Sequence, residues 1–330
     1  SYREGYLTRE ETPQSRFSRE LNWLMNGRNY TNRELTDTVI DRLIDQRDMI
    51  PLHQRFFGPA TDYTFVIMGD CDLSDIRSYI STYIGALPAG VADTTWQVGR
   101  RQIPHRNVEF VSTTYDQPKA VVSLTYQQDQ QQGDLQLNEV KGVVLKSILR
   151  TVLLKRLREE MGKVYSVSTS VAAGQYPSYL CRSTVGFVCQ PADVDTLIAA
   201  TREEIRQLCE QPDQYAIHLD DVKKNLQKEH ALQVQQTAYW TSWIRNVVYN
   251  GHEDWTWINR YNDVVEHISM QDVADFARHV MADAYEIKAV LMPPSPSTSV
   301  SPSPLTPVSG TVFDDRNQNG VQDPGEDAIA

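Results

Sequence analysis

The chain has 330 residues, which is enough for two domains of ordinary size, each with its own hydrophobic core. Its formal net charge of −11 argues against nucleic acid or an anionic membrane surface as a partner. No apolar run is long enough to cross a bilayer, and the four cysteines have no metal-ligand spacing, which predicts buried thiols.

Residues 1–92 are predicted to be the C-terminal part of one α+β domain. Residues 1–30 are polar with scattered aromatic side chains, a pattern typical of the end of a larger unit. Residues 64–68 form an apolar run with the length of a buried strand. A helix is expected over residues 74–84, and the glycine and proline that follow it close the domain.

Residues 93–292 are predicted to form a second domain of the same class. The expected strands lie near residues 107–112, 119–126, 164–171, 179–189 and 287–292. The expected helices are a long one over 140–157, then 193–209, 218–236, 238–250 and one that begins with a capping box at Ser269. Since strands and helices do not alternate regularly, the fold class is predicted to be α+β, with a mixed sheet covered on one face by helices.

The corner between the long helix and the following strand carries two candidate catalytic residues, Arg158 and Tyr165. Gly162 stands where a left-handed helix cap is expected, so both side chains should lie at the same end of the layer. A guanidinium and a phenol placed together could hold a carbonyl oxygen that gains negative charge. The simpler alternative is an arginine that complements the helix dipole and meets solvent.

The amino-acid composition changes in the C-terminal region. Residues 293–308 are rich in serine, proline and threonine and are predicted to be an extended linker, a composition typical of proteins outside the cytoplasm. Residues 309–330 include a twelve-residue pattern with oxygen donors at the spacing of a calcium loop, although a polar surface turn is the alternative. The expected calcium ligands are Asp315, Asn317, Asn319, the carbonyl group of Val321, Asp323 and Glu326.

Four segments resemble parts of known families. Residues 157–168 (LREEMGKVYSVS) resemble the Leu-Arg-Glu-x-x-Gly-x-x-Tyr-Ser signature in the C-terminal half of pitrilysin/insulinase-type zinc metallopeptidases. Residues 55–88 are similar to the family segment that ends one of its α/β domains, and Ala238-Tyr239-Trp240 with Trp243 resembles its late helices. Residues 309–330 resemble the opening strand of an Sdr-type B repeat, which the chain end at Ala330 would leave incomplete.

The first resemblance implies a divided active site. Peptidases of this inverzincin type hold zinc through a His-x-x-Glu-His helix in their N-terminal half. This chain lacks that motif, because Leu226 and Asp263 stand where the first histidine would precede Glu229-His230 and Glu266-His267. The resemblance therefore implies a separate zinc-binding half, a peptide substrate, and Arg158 and Tyr165 stabilising the scissile carbonyl in trans. The chain alone should neither hold zinc nor cleave peptides.

Two alternatives to the peptidase remain open. An inactive family member would bind peptides or serve as a scaffold subunit, and a third interpretation makes the adhesin-like C-terminal region the main functional part. The tryptophans at positions 240, 243, 255 and 257 are expected to pack in the core or between domains rather than to form a ligand cage. An extracytoplasmic location is expected from the linker composition.

Overall fold

The computed structural model of the chain describes residues 11–29, 32, 39–40, 45–90, 103–252 and 254–294. These residues form one five-stranded sheet in the order β1-β5-β2-β4-β3. Its strands are β1 (Val108–Ser112), β2 (Ala120–Gln128), β3 (Val167–Gly174), β4 (Leu180–Cys189) and β5 (Tyr285–Leu291). Since β1 and β5 are parallel and the other neighbours antiparallel, the sheet is mixed, as the sequence predicts.

The helices predicted over 140–157, 193–209, 218–236 and 238–250 and from Ser269 are present among the described residues, whereas the sequence analysis predicts none over residues 13–25 or 261–267. They are α1 (Pro13–Met25), α2 (Gln46–Phe57), α3 (Leu73–Tyr79), α4 (Leu135–Leu153), α5 (Val194–Glu210), α6 (Ala216–Gln233), α7 (Thr237–Asn250), α8 (Tyr261–His267) and α9 (Met270–Ala277). Three π-helical segments continue α3, α4 and α9, over Ile80–Ile84, Leu154–Glu160 and Arg278–Ala282. Short 3₁₀ segments lie at Ala60–Asp62, Pro191–Asp193, Pro212–Tyr215 and Trp257–Arg260. In the described residues no helix combines the length and hydropathy that a membrane span needs.

The longest helix, α4, lies across the sheet and carries the centre of the core. Asp134 caps it, since its Oδ1 accepts a hydrogen bond from the backbone N–H of Leu137 at 2.8 Å. Its apolar stripe is buried as predicted, with Leu145 and Leu149 almost inaccessible to solvent. Thr169 of β3 donates a hydrogen bond to the carbonyl group of Lys146 at 3.0 Å, which ties the helix to the edge of the sheet.

Helix α1 covers part of the opposite face of the sheet, which adds to the predicted arrangement of helices on one face. Side chains along a strand alternate between faces. Accordingly Ile287, Ala289 and Leu291 of β5 pack against Phe17 and Leu21 of α1, whereas the valine at position 290 joins the main core. Residues 13–25, which the sequence assigns to the first domain, therefore pack against the sheet of the second.

The strand predicted over residues 64–68 is wrong. The segment has no strand conformation, and Phe65 and Ile67 are 46% and 52% exposed. A strand requires a neighbour to pair with its backbone N–H and C=O groups, and the described residues offer this segment none. The helix predicted over 74–84 is present as α3 and its π-helical continuation.

One further prediction is wrong for a single residue, and the predictions for the C-terminal region are not tested. Cys181, Cys189 and Cys209 are buried free thiols, but Cys71 is exposed, so the prediction of buried thiols is wrong for that residue. Contacts divide the chain into Ser1–Pro293 and Pro294–Ala330. The linker beyond Pro294 and the whole calcium loop lie outside the described residues.

Candidate functional site

The predicted corner is built from a π-helical turn and a left-handed glycine. Helix α4 continues into Leu154–Glu160, so Arg158 lies in the last turn before the chain reverses. Gly162 has φ of +67°, a conformation that glycine adopts without the strain that a Cβ would cause. The backbone N–H of Lys163 donates to the carbonyl group of Leu157 at 3.1 Å, which closes the reversal.

Buried neighbours direct the two candidate catalytic side chains outward. Leu157 and Val164 are buried in the main core on the inner side of the corner. Arg158 and Tyr165 follow them directly and are exposed, Tyr165 to 83%. The structure brings the two together, with the guanidinium carbon of Arg158 5.4 Å from the centre of the Tyr165 ring.

Tyr165 lies before the strand rather than within it. Pairing of β3 with β4 begins at Val167, opposite Phe187, so the strand starts three residues later than predicted. Tyr165 is therefore in the connection between helix and strand, where its backbone is not held in the sheet. The ring contact with Arg158 is the interaction that orients its side chain.

Arg158 differs from the basic residues beside it. Arg156 forms an ion pair with Glu160 at 2.6 Å, and Lys163 forms one with Asp193 at 2.8 Å. In the described portion of the chain, the guanidinium of Arg158 has neither an ion pair nor a hydrogen bond, and the phenol of Tyr165 has no hydrogen bond. The N–H and O–H donors of this pair are therefore available to a ligand.

Because Arg158 and Tyr165 are exposed, water weakens the attraction between this pair and a charged ligand. The attraction between two unit charges at 4 Å is about 1 kcal/mol in bulk water and about 4 kcal/mol at an effective dielectric constant of about 20. An oxyanion beside Arg158 and Tyr165 would thus be stabilised several-fold more strongly if a second surface excluded water. The arrangement fits a site completed by another protein surface.

The described residues do not fit a zinc ion. They contain no group of three or more histidine, cysteine, aspartate or glutamate side chains that could hold a metal. His230, which follows Glu229, is buried against aromatic rings, with its centroid 4.3 Å from that of Tyr261. Burial lowers the pKa of His230 below its ordinary value, because the charged form of the imidazole is disfavoured among aromatic rings.

Comparison with known proteins gives a family and a group of similar folds. Residues 44–226, more than half of the chain, match the family model described as the peptidase M16 inactive domain. The comparison with curated protein sequences gives no match.

Three solved structures illustrate the similarity in fold. The periplasmic protease PqqL from Escherichia coli has a TM-score of 0.72 at 18% identity, over 88% of this chain and 32% of PqqL. A peptidase M16 inactive domain from Pseudomonas fluorescens has a TM-score of 0.64 at 13% identity, over 86% of this chain and 66% of that one. The ferredoxin protease FusC, solved with Arabidopsis ferredoxin, has a TM-score of 0.65 at 13% identity, over 85% and 30%. This chain thus spans about a third of PqqL and of FusC.

Proposed function

The chain belongs to the peptidase M16 inactive domain family, and we propose that it forms the half of a zinc-dependent endopeptidase that does not hold the metal. The observation that carries the proposal is the contact of Arg158 with Tyr165, 5.4 Å apart at an exposed corner with unused donors. Peptide substrate would lie in a chamber between this half and a zinc-binding half of the inverzincin type. The similarity of the fold to PqqL and FusC, both described as proteases, supports this reading.

The proposed role of the pair is to stabilise the carbonyl group that is being attacked. As that oxygen gains negative charge, N–H groups of Arg158 and the O–H of Tyr165 would donate hydrogen bonds to it. Closure of the other half over the corner would exclude water and so strengthen both interactions. The two residues would act in trans, because the described residues provide no zinc site.

Substitution in the peptidase that contains both halves tests this role. Arg158→Ala and Tyr165→Phe should each lower kcat by about tenfold to a thousandfold, an interval that includes the roughly hundredfold to thousandfold loss typical of removing one oxyanion donor. Tyr165→Phe is the sharper change, since it keeps the aromatic ring that Arg158 contacts and removes only the hydroxyl group. Turnover would be measured on an unfolded protein, together with the urea unfolding of each variant.

Arg156→Ala is the matched control, because Arg156 lies two residues away on the surface and forms an ion pair with Glu160. It should leave kcat unchanged. If Tyr165→Phe and Arg158→Ala also retain full turnover, the pair only stabilises the corner, as an exposed cation–π contact of about 0.5–1 kcal/mol would.

The alternative of an inactive peptide-binding or scaffold subunit is supported by the exposed aromatic and apolar side chains of residues 45–90. The same assay separates the two functions. A complete protein whose other half lacks the His-x-x-Glu-His motif, and which binds unfolded protein without cleaving it, would be such a scaffold.

An extracytoplasmic location and a calcium site complete the proposal. The Ser/Pro/Thr-rich linker and the fold similarity to a periplasmic protease support the location. The proposed calcium loop, and the Sdr-type B repeat that it would open, rest on the spacing of oxygen donors from Asp315 to Glu326. The 330-residue chain is expected to bind calcium weakly or not at all, and a chain extended beyond Ala330 should gain affinity. In the extended chain, Glu326→Gln should abolish calcium binding in a calorimetric titration, whereas the neighbouring Asp327→Asn should not.

A further inference from the structure

A cavity of about 200 Å³ lies between the first half of α4, helix α7 and the segment that leads into α8. Its walls include Glu139, Val143, Tyr239, Trp243, Trp257 and Tyr261. The residues from each segment are four positions apart, so each pair lies on one face of a helical turn. We call this cavity the aromatic pocket. It lies roughly 28 Å along the helix from Arg158, at about 1.5 Å per residue.

The walls of the aromatic pocket are held by ring contacts. The ring of Trp257 meets that of Tyr261 edge to face at 5.8 Å, and Tyr261 stacks on His230 at 4.3 Å. Tyr239 completes the group, since its hydroxyl group lies 3.2 Å from Nδ1 of His230. These contacts fix the ring faces before any ligand arrives.

The aromatic walls carry no charge at neutral pH. Burial raises the pKa of Tyr261 to about 12, and burial likewise raises the pKa of Tyr239 above its ordinary value. Burial lowers the pKa of His230, which lies behind both rings. Among the described residues that line the pocket, Glu139 is the one carboxylate, and there is no lysine, arginine or histidine.

Glu139 is held in position but is not neutralised. The side-chain amide of Asn246 donates to its Oε2 at 3.4 Å, and Asn250 in turn donates to Asn246 at 2.7 Å. Within the described residues Glu139 forms no ion pair, although burial raises the pKa of its carboxyl group. A partly buried carboxylate without a cation is costly, and a cation that entered the pocket would relieve this cost.

We propose that the aromatic pocket binds the guanidinium group of an arginine side chain in an extended peptide. A planar guanidinium can stack on indole and phenol faces while it donates two parallel hydrogen bonds to one carboxylate. The cavity is smaller than the roughly 300–1,000 Å³ of pockets for whole ligands, so it suits one side chain. The proposal depends on neither Arg158 nor Tyr165, and it requires no peptide hydrolysis.

Two model ligands test the requirement for charge on the unaltered chain. Nα-acetylarginine amide should bind in a saturable way, followed by the fluorescence of the tryptophans, two of which line the pocket. Nα-acetylcitrulline amide has nearly the same shape without the charge and should bind at least about tenfold more weakly. Equal affinity for the two ligands would overturn the proposal. So would tighter binding of tetramethylammonium than of the arginine ligand, which would indicate a quaternary-ammonium site.

Substitution of the carboxylate locates the site. Glu139→Gln should weaken binding of the arginine ligand by about tenfold and abolish its preference over the citrulline ligand. Glu20→Gln, an exposed change of the same charge on α1, is the control and should leave binding unchanged. Unaltered binding in a Glu139→Gln variant with a normal melting curve would overturn the proposal. If that variant does not fold, the comparison of the two ligands on the unaltered chain decides by itself.

Discussion

Replacing Gly162 by alanine should destabilise the sheet-containing unit by about 1 kcal/mol. Gly162 has φ of +67°, and a Cβ added there would meet no heavy atom within 4 Å. The cost is therefore purely conformational, about 1–2 kcal/mol for an L-residue in the left-handed region. Alanine also lowers the conformational entropy of the unfolded chain, which offsets about 0.4–1 kcal/mol of this cost. Asparagine tolerates the left-handed region better than alanine, so Gly162→Asn should cost less.

Gly133 provides a matched control within the same chain. It has φ of +78°, and a Cβ there would likewise meet nothing within 4 Å. Gly133→Ala should therefore lower the free energy of unfolding by about the same amount as Gly162→Ala, measured in urea by circular dichroism. Only Gly162→Ala should speed hydrogen exchange at the backbone N–H of Lys163, which closes the reversal at this corner.

Two results would refute this reasoning. If Gly162→Ala were as stable as the unaltered chain, the left-handed conformation would carry no cost at this corner. If Gly162→Asn cost more than Gly162→Ala, the destabilisation would come from contacts of the new side chain rather than from the backbone.

Other predictions concern the core, a helix cap and the thiols. Leu157→Ala should cost about 2–5 kcal/mol in urea unfolding because Leu157 is fully buried, whereas the same change at Leu232, which is 56% exposed, should cost less than about 0.5 kcal/mol. Ser269→Ala should cost about 1 kcal/mol at neutral pH. Because hydrogen bonds from Ser269 lower the pKa of Asp272, their contribution is present above about pH 4 and is lost as the pH falls through the lowered pKa. The difference in melting temperature between Ser269→Ala and the unaltered chain should accordingly narrow below about pH 4. Iodoacetamide at about pH 8 should label exposed Cys71 in the folded chain. It should label Cys181, Cys189 and Cys209 only after unfolding, because burial raises the pKa of these three thiols to about 11 or 12.

Local signals predict much of the sheet-containing part. The apolar stripe over residues 140–157 predicts the buried face of α4, and Gly162 has the left-handed conformation expected of it. The capping box at Ser269 is formed with Asp272. Each of these features depends on residues within one continuous segment of the chain, so distant parts of the chain change them little.

Features that depend on distant partners are not predicted as well. Residues 64–68 have the composition of a strand, but composition does not reveal whether a neighbouring strand exists. Likewise, β3 begins at Val167 because its pairing with β4 begins there, so Tyr165 lies outside the strand. No local pattern in the sequence shows whether Tyr165 lies inside the strand or before it.

The aromatic pocket is a further feature of the structure that the sequence analysis does not predict. Glu139 directly precedes the apolar stripe on α4, and the sequence predicts that the tryptophans at 240, 243, 255 and 257 pack rather than form a ligand cage. In the structure these rings form edge-to-face contacts, but Trp255 remains half exposed, and two of the four line a cavity. The sequence gives no signal that singles out Glu139, and only the fold shows which aromatic residues face it.

The order of the strands has a consequence for synthesis of the protein. Strand β5 is the last of the described strands along the chain, yet it lies between β1 and β2. Until residue 291 leaves the ribosome, β1 has no neighbour in this sheet and β2 presents an open edge that can pair with other chains. A released chain that ends before Tyr285 should therefore aggregate. A released chain that ends just after Pro294 contains all five strands of this sheet and should aggregate less.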